Sequence, residues 1–228
     1  MRKVILIAVT LFMTTFSNAQ EMKTVQQIVV SGEGKIKVTP DQAIINVGVE
    51  NTGNDAAEVK KKNDVAIDAI LKYLKGAKIP ASDYQTKQVS LFKNYDYEKK
   101  KHYYQASQMV SITLKDLSKY DAVMMGLVDA GVNTIHGVEF KTSKLAQYES
   151  EARVNAVQNA KAKALDYAGA LNQKVGKTLL VTDNSSTYYP RPMYAAMKVE
   201  IDAGMPRETL AVGEIEVTAN VTINFALE

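Results

Sequence analysis

No cysteine occurs in the 228 residues. That absence excludes thiol catalysis, a thiolate metal site and any disulfide redox role, and it leaves no residue at which a lipoprotein anchor could be attached. Small exported domains often use disulfides to offset chain entropy. This chain must instead be held by packing, through a large continuous core or through an oligomer. Histidine is almost missing as well, with His102 and His136 the only two. Neither belongs to a metal-ligating pair at helical spacing, and no serine sits in a Gly-x-Ser-x-Gly elbow.

An excess of charge of one sign is also lacking. The formal net charge is +3, and without Arg2 and Lys3 the 28 basic residues fall to 26 against 25 acidic ones, leaving +1. Such a balance gives no electrostatic reason to expect a nucleic acid partner. Long apolar runs are absent except at the start, where Arg2 and Lys3 precede an apolar stretch from Val4 to Phe16 and the small residues Ser17 to Ala19. The run is shorter than the roughly 20 residues of a spanning helix. Its three-part plan is that of a secretory signal peptide over residues 1–19, with cleavage expected after Ala19. The processed chain, 20–228, is then expected in the periplasm as a single domain or two interlocked lobes, with no transmembrane segment. A composition of 46% hydrophobic and 23% charged residues is that of a globular protein.

The pattern along that domain predicts an α+β fold in the order ββαββαβαββ, an antiparallel-rich mixed sheet packed against about three helices. Alternation over 27–38 reads as a strand with a bend or bulge at Gly32 and Gly34. Pro40-Asp41 then turns the chain into a second strand ending near Glu50, and the two read as a hairpin. Asn54 or Asp55 caps a helix over 56–75 that Gly76 and Pro80 end. A long hairpin follows, with the charged tip Asp96, Glu98, Lys99, Lys100 and Lys101. The second helix follows Asp116 or Ser118 and stops at Gly131, and a strand covers 134–141. In the third helix, 148–172, Ala152, Ala156, Ala160, Ala164 and Ala168 step by four and form a smooth ridge for close packing. Strands over 177–183 and 210–227 end the chain. GKIKVT at 34–39 is echoed by GEIEVT at 213–218.

No catalytic constellation emerges, and no cofactor-binding or metal-binding residues are expected. Ser31-Gly32-Glu33-Gly34 leads into a strand instead of the helix N-terminus a phosphate loop requires, so backbone geometry accounts for its glycines. Glu149 and Glu151 suit the positive end of a helix dipole. What stands out is tyrosine: Tyr95, Tyr97 and Tyr103 around the hairpin tip, and Tyr188, Tyr189 and Tyr194 in the irregular stretch from Asn184 to Arg207. Flat amphipathic rings on exposed segments suit a partner surface, and these six are the candidate interaction residues.

The stretches VSGEGKIKVTPDQAIINVGVE, DYQTKQVSL, YQASQMVSITLKDL, EARVNAVQNAKAKALDYAGALNQKVGK and GEIEVTANVTINFAL, in that order, resemble the SIMPL-domain family. Its members include periplasmic immunogenic and oxidative-stress-linked envelope proteins. The resemblance implies an exported α+β protein without established enzymatic activity, and a homo-oligomer or an envelope protein as partner. It supplies no catalytic residue. Two functions follow: a non-enzymatic oligomeric assembly or interaction protein with a stress-response role, or a periplasmic small-molecule binder or enzyme whose pocket forms between the helices and the 184–207 stretch. A membrane pore fits poorly, because helices of this kind have no place in a membrane barrel.

Overall fold

The computed structural model describes residues 26–185, 192–193 and 210–228. The expected signal peptide lies outside the described residues. The strands are β1 (Gln27–Val38), β2 (Gln42–Gly53), β3 (Tyr84–Asp96), β4 (Lys101–Leu114), β5 (Thr134–Lys141), β6 (Val175–Asp183), the short β7 (Pro192–Met193) and β8 (Glu214–Leu227). The helices are α1 (Ala56–Gly76), α2 (Tyr120–Asp129) and α3 (Leu145–Ala170). The fold is α+β and the order of its long elements is the expected one.

The strands are divided between two sheets, and every pairing is antiparallel. One has the order β1-β8-β6, with β7 also on β8; the other is β3-β4-β2-β5. The expected β1–β2 hairpin therefore does not form. Pro40 does turn the chain, but it sends β2 into the second sheet, while β1 pairs with β8 from Gln27↔Ala226 to Val38↔Ile215. The local turn signal was real; the partner of each strand was decided by distant apolar faces. The echo between 34–39 and 213–218 now has a spatial counterpart, since Ile36 lies opposite Val217 in that ladder.

Each sheet buries its own core. In the second sheet Ala43, Ile45, Val47 and Val49 of β2 alternate inward with Val110, Ile112 and Leu114 of β4, beneath Ile67, Ile70 and Leu74 of α1 and Leu127 of α2. In the first, Val30 and Val38 of β1 and Ile215 through Phe225 of β8 meet the alanines of α3.

The ridge of alanines does what its spacing predicts, with Ala152, Ala156, Ala160, Ala164 and Ala168 all buried. Its counterpart is the glycine pair of β1. A Cβ on Gly32 would stand 2.0 Å from the Ala156 carbonyl oxygen, and one on Gly34 2.0 Å from that of Ala152. The register of β1 runs unbroken through both positions, so the expected bend or bulge is absent. These glycines serve close approach of a helix backbone to a strand backbone.

All three α-helices among the described residues end in the same way, with a left-handed residue whose neighbours return hydrogen bonds to the last turn. Lys78 (φ 59°), Gly131 (φ 110°) and Asn172 (φ 56°) occupy that position. The following amides of Ile79, Val132 and Gln173 donate to the carbonyls of Leu74, Leu127 and Ala168. Gly76, expected as the stop, is the last helical residue of α1 instead. At the other end of α1 the Asp55 carboxylate accepts the Glu58 amide at 2.9 Å, as an N-cap should.

Candidate functional site

The β3–β4 hairpin outreaches its sheet. Gly53, the last residue of β2, lies opposite Tyr104, so the pairs Asn94↔Tyr103, Tyr95↔His102 and Asp96↔Lys101 form a two-stranded ribbon beyond it. The turn is closed by the Asp96 carboxylate, which accepts the amides of Glu98 and Lys99 at 3.0 Å each. Lys100 takes the left-handed conformation at φ 50°. The hydrogen bond from the Lys99 amide, joined by that from Glu98 and the nearby Lys99 ammonium, holds the Asp96 carboxyl below its ordinary value.

Two of the tyrosines marked in the sequence meet here. The Tyr95 ring stands edge-on to Tyr97, with centroids 5.0 Å apart, and edge-on to His102 at 4.9 Å. Tyr97 is 83% exposed and Tyr95 40%. A ring held edge-on to another loses little freedom when a partner covers it. His102 Nδ1 lies 3.3 Å from the Asn94 carbonyl. Tyr103 belongs to the other face of the ribbon and is half-buried. It helps line an open depression of about 350 Å³ with Thr52, Gly53, Asn54, Asp96, Lys99 and Lys101. Tyr188, Tyr189 and Tyr194 lie outside the described residues, so the structure neither adds them to this surface nor separates them from it.

Sequence reasoning missed the flank of this surface. β3 pairs with β4 alone among the described strands, and its outer edge carries Val89 at 66%, Leu91 at 43% and Phe92 at 58% exposure. In the sequence these residues look like ordinary strand alternation. The signal that could have revealed them is a break in it: Leu91 and Phe92 are adjacent apolar residues pointing to opposite faces.

Two of the buried polar side chains tie elements together. Asn63 of α1 is buried and donates to the carbonyls of Val49 at 3.0 Å and Ala106 at 3.4 Å, tying the helix to the sheet. Asp83 accepts from the Lys115 ammonium at 2.8 Å. Among the described residues no group of three or more His, Asp or Glu side chains is placed to hold a metal ion. Nor is any helix among them long and apolar enough to cross a membrane.

Comparison with known proteins places the chain among relatives of similar length. It is 28% identical over 215 residues to the uncharacterized protein YggE of Escherichia coli K12, covering 93% of this chain and 87% of that one. It is 26% identical over 222 residues to the 26 kDa periplasmic immunogenic protein of Brucella melitensis, covering 93% and 89%. The mouse interleukin-1 receptor-associated kinase 1-binding protein 1 is 26% identical over 166 residues, 71% of this chain and 61% of that one. The family model SIMPL, described as a protein of unknown function (DUF541), matches residues 28–225. These two sheets and three helices thus lie almost wholly within the matched region, and the chain belongs to the SIMPL family.

Proposed function

We propose that this chain is a non-enzymatic periplasmic protein that works by assembly, presenting the tip of the β3–β4 hairpin and the outer edge of β3 to other copies of itself. The observation that carries the reading is the tip, where Tyr95, Tyr97 and His102 form an aromatic cluster beyond the sheet while Val89 and Leu91 continue an apolar margin on the Tyr95 face of the same strand. A long edge strand with no second partner among the described strands invites pairing, and aromatic rings are enriched where proteins meet.

The names of two relatives support parts of this reading, one being called periplasmic and one kinase-binding. An envelope protein in place of a second copy is a variant of the same reading. A role in the envelope stress response rests on the family resemblance. It is tested by comparing survival of a deletion strain and its parent under peroxide.

The direct test is the mass of the purified processed protein by size-exclusion chromatography with light scattering, over a range of concentration and salt. A discrete oligomer is expected. The double substitution Tyr95→Ser, Tyr97→Ser is expected to reduce it toward the monomer without changing the circular dichroism. Unchanged assembly in that variant would remove the hairpin tip as the contact, and a monomeric parent at all concentrations would remove self-assembly.

A further inference from the structure

A second exposed apolar surface lies at the opposite sheet and has a different chemistry. α3 covers β1 and β8 but scarcely touches β6, so among the described residues no helix roofs the helix-facing side of β6. Between them runs a groove of about 420 Å³, a volume within the range of roughly 300–1,000 Å³ typical of small-molecule sites. Its floor is made by the buried Ile223 and Phe225 of β8. Its walls are Val157 and Leu165 of α3 and Val175 and Val181 of β6. Leu165 and Val181 are both about half exposed, at 52% and 53%.

Each wall also carries one lysine, Lys161 on α3 and Lys177 on β6. Among the described residues no acidic side chain lines the groove. Glu228 lies beside Gly176 at one end, and Asp183, which feels the positive charge of Arg153, ends β6. Elsewhere lysines are commonly paired, as in Lys60 with Asp64, Lys62 with Glu58 and Lys72 with Asp68. Lys161 and Lys177 have no such partner among the described residues. An apolar trough with an unpaired cation on each bank is complementary to a molecule that is apolar along its length and anionic at its head.

We infer that the groove between α3 and β6 binds a single long-chain fatty carboxylate, its chain lying over Ile223 and Phe225 and its head between Lys161 and Lys177. This goes beyond the assembly reading and uses none of the hairpin residues. The lysine ammonium groups supply charge-assisted hydrogen bonds that a neutral head group would forgo.

The test uses the purified processed protein and the fluorescent probe 11-(dansylamino)undecanoic acid below its micellar concentration. Saturable binding with a blue-shifted emission is expected, reversed by hexadecanoate and far less by hexadecan-1-ol. Lys161→Ala with Lys177→Ala should weaken binding at least about tenfold, the order expected for losing charge-assisted contacts. Val181→Asp, at an exposed position, should abolish it while leaving the circular dichroism unchanged. The Tyr95→Ser, Tyr97→Ser variant should bind as the parent does, which separates failure of this inference from failure of the assembly reading.

Several outcomes would overturn it. Equal displacement by the alcohol would remove the role of the lysines. Binding untouched by Val181→Asp and the lysine pair would move the site elsewhere. Absence of binding, with a changed oligomer mass in Val181→Asp, would make the groove a contact between copies. Binding only after residues 194–209 are replaced by a Gly-Ser linker would make the chain's own segment the occupant, and binding only to phosphatidylglycerol vesicles would make a membrane surface the ligand.

Discussion

Gly32 and Gly34 are the positions where one atom decides most. With a Cβ 2.0 Å from a carbonyl oxygen and 2.6 Å from an amide nitrogen of α3 at each site, an alanine has no rotamer to escape into, and the helix must lift from the strand. Gly32→Ala or Gly34→Ala should therefore destabilise by roughly 3 kcal/mol, at the upper end of overpacking costs. Gly169 is the control: it is helical, and nothing lies within 4 Å of the position its Cβ would take. Gly169→Ala should stabilise by about 0.5–1 kcal/mol through the smaller entropy of the unfolded chain. Urea midpoints measure all three; a tolerated Gly32→Ala would mean that helix and strand are not held at this distance. The same glycines mark the limit of what was legible. A glycine inside an alternating strand is compatible with a bulge or with close packing, and the helix that decides between them lies more than a hundred residues further along the chain.

Elements were legible where their signal was internal to them. The alanine ridge of α3 and the Asp55 cap of α1 were read correctly, because helical periodicity and capping are local. The β1–β2 hairpin was not, because Pro40-Asp41 marks a turn without saying which strands it joins. Asp41 is in fact a clamp between two connections. Its carboxylate accepts the amide of Ser143 at 2.7 Å and the Ser143 hydroxyl, and its own amide donates to the Lys141 carbonyl at 3.1 Å. The link out of β1 is thereby fastened to the link into α3.

Partial burial pushes the Asp41 carboxyl up, but the Ser143 hydrogen bonds and the Lys144 charge outweigh it and hold the group below the ordinary carboxylate range. An unfolded aspartate takes up its proton near pH 3.9. The clamp's contribution is therefore complete above that pH and is lost as the pH falls through the lower folded value. Asp41→Asn should shrink the difference in stability between pH 7 and pH 3, by less than about 1 kcal/mol because the residue is exposed. Asp83, lowered mainly by its hydrogen bond from Lys115, continues to supply acid sensitivity in that variant. Urea melts at the two pH values decide this, and an undiminished difference would show that the clamp does not feel the proton.

At the scale of the whole molecule, the two sheets differ in how much chain must be brought together. The second sheet, β3-β4-β2-β5, is assembled from one continuous stretch between Gln42 and Lys141. The first needs both ends of the domain: Ser31 and Thr222, 191 positions apart, share a hydrogen bond of 3.1 Å. Closing so long a loop adds little to the equilibrium cost, since each doubling of length contributes only about 0.6 kcal/mol. It weighs more on rate, because non-local pairing follows local pairing. Pulse-labelled hydrogen exchange during refolding should protect the amides of β2 and β4 before those of β1 and β8. The glycine substitutions in β1 should then speed unfolding far more than they slow folding. Simultaneous protection of both sheets would instead mean that α3 and its alanine ridge recruit β1 and β8 into a shared nucleus. In that case Gly32→Ala would slow folding itself, so the two kinetic arms give independent readings of the same order of events.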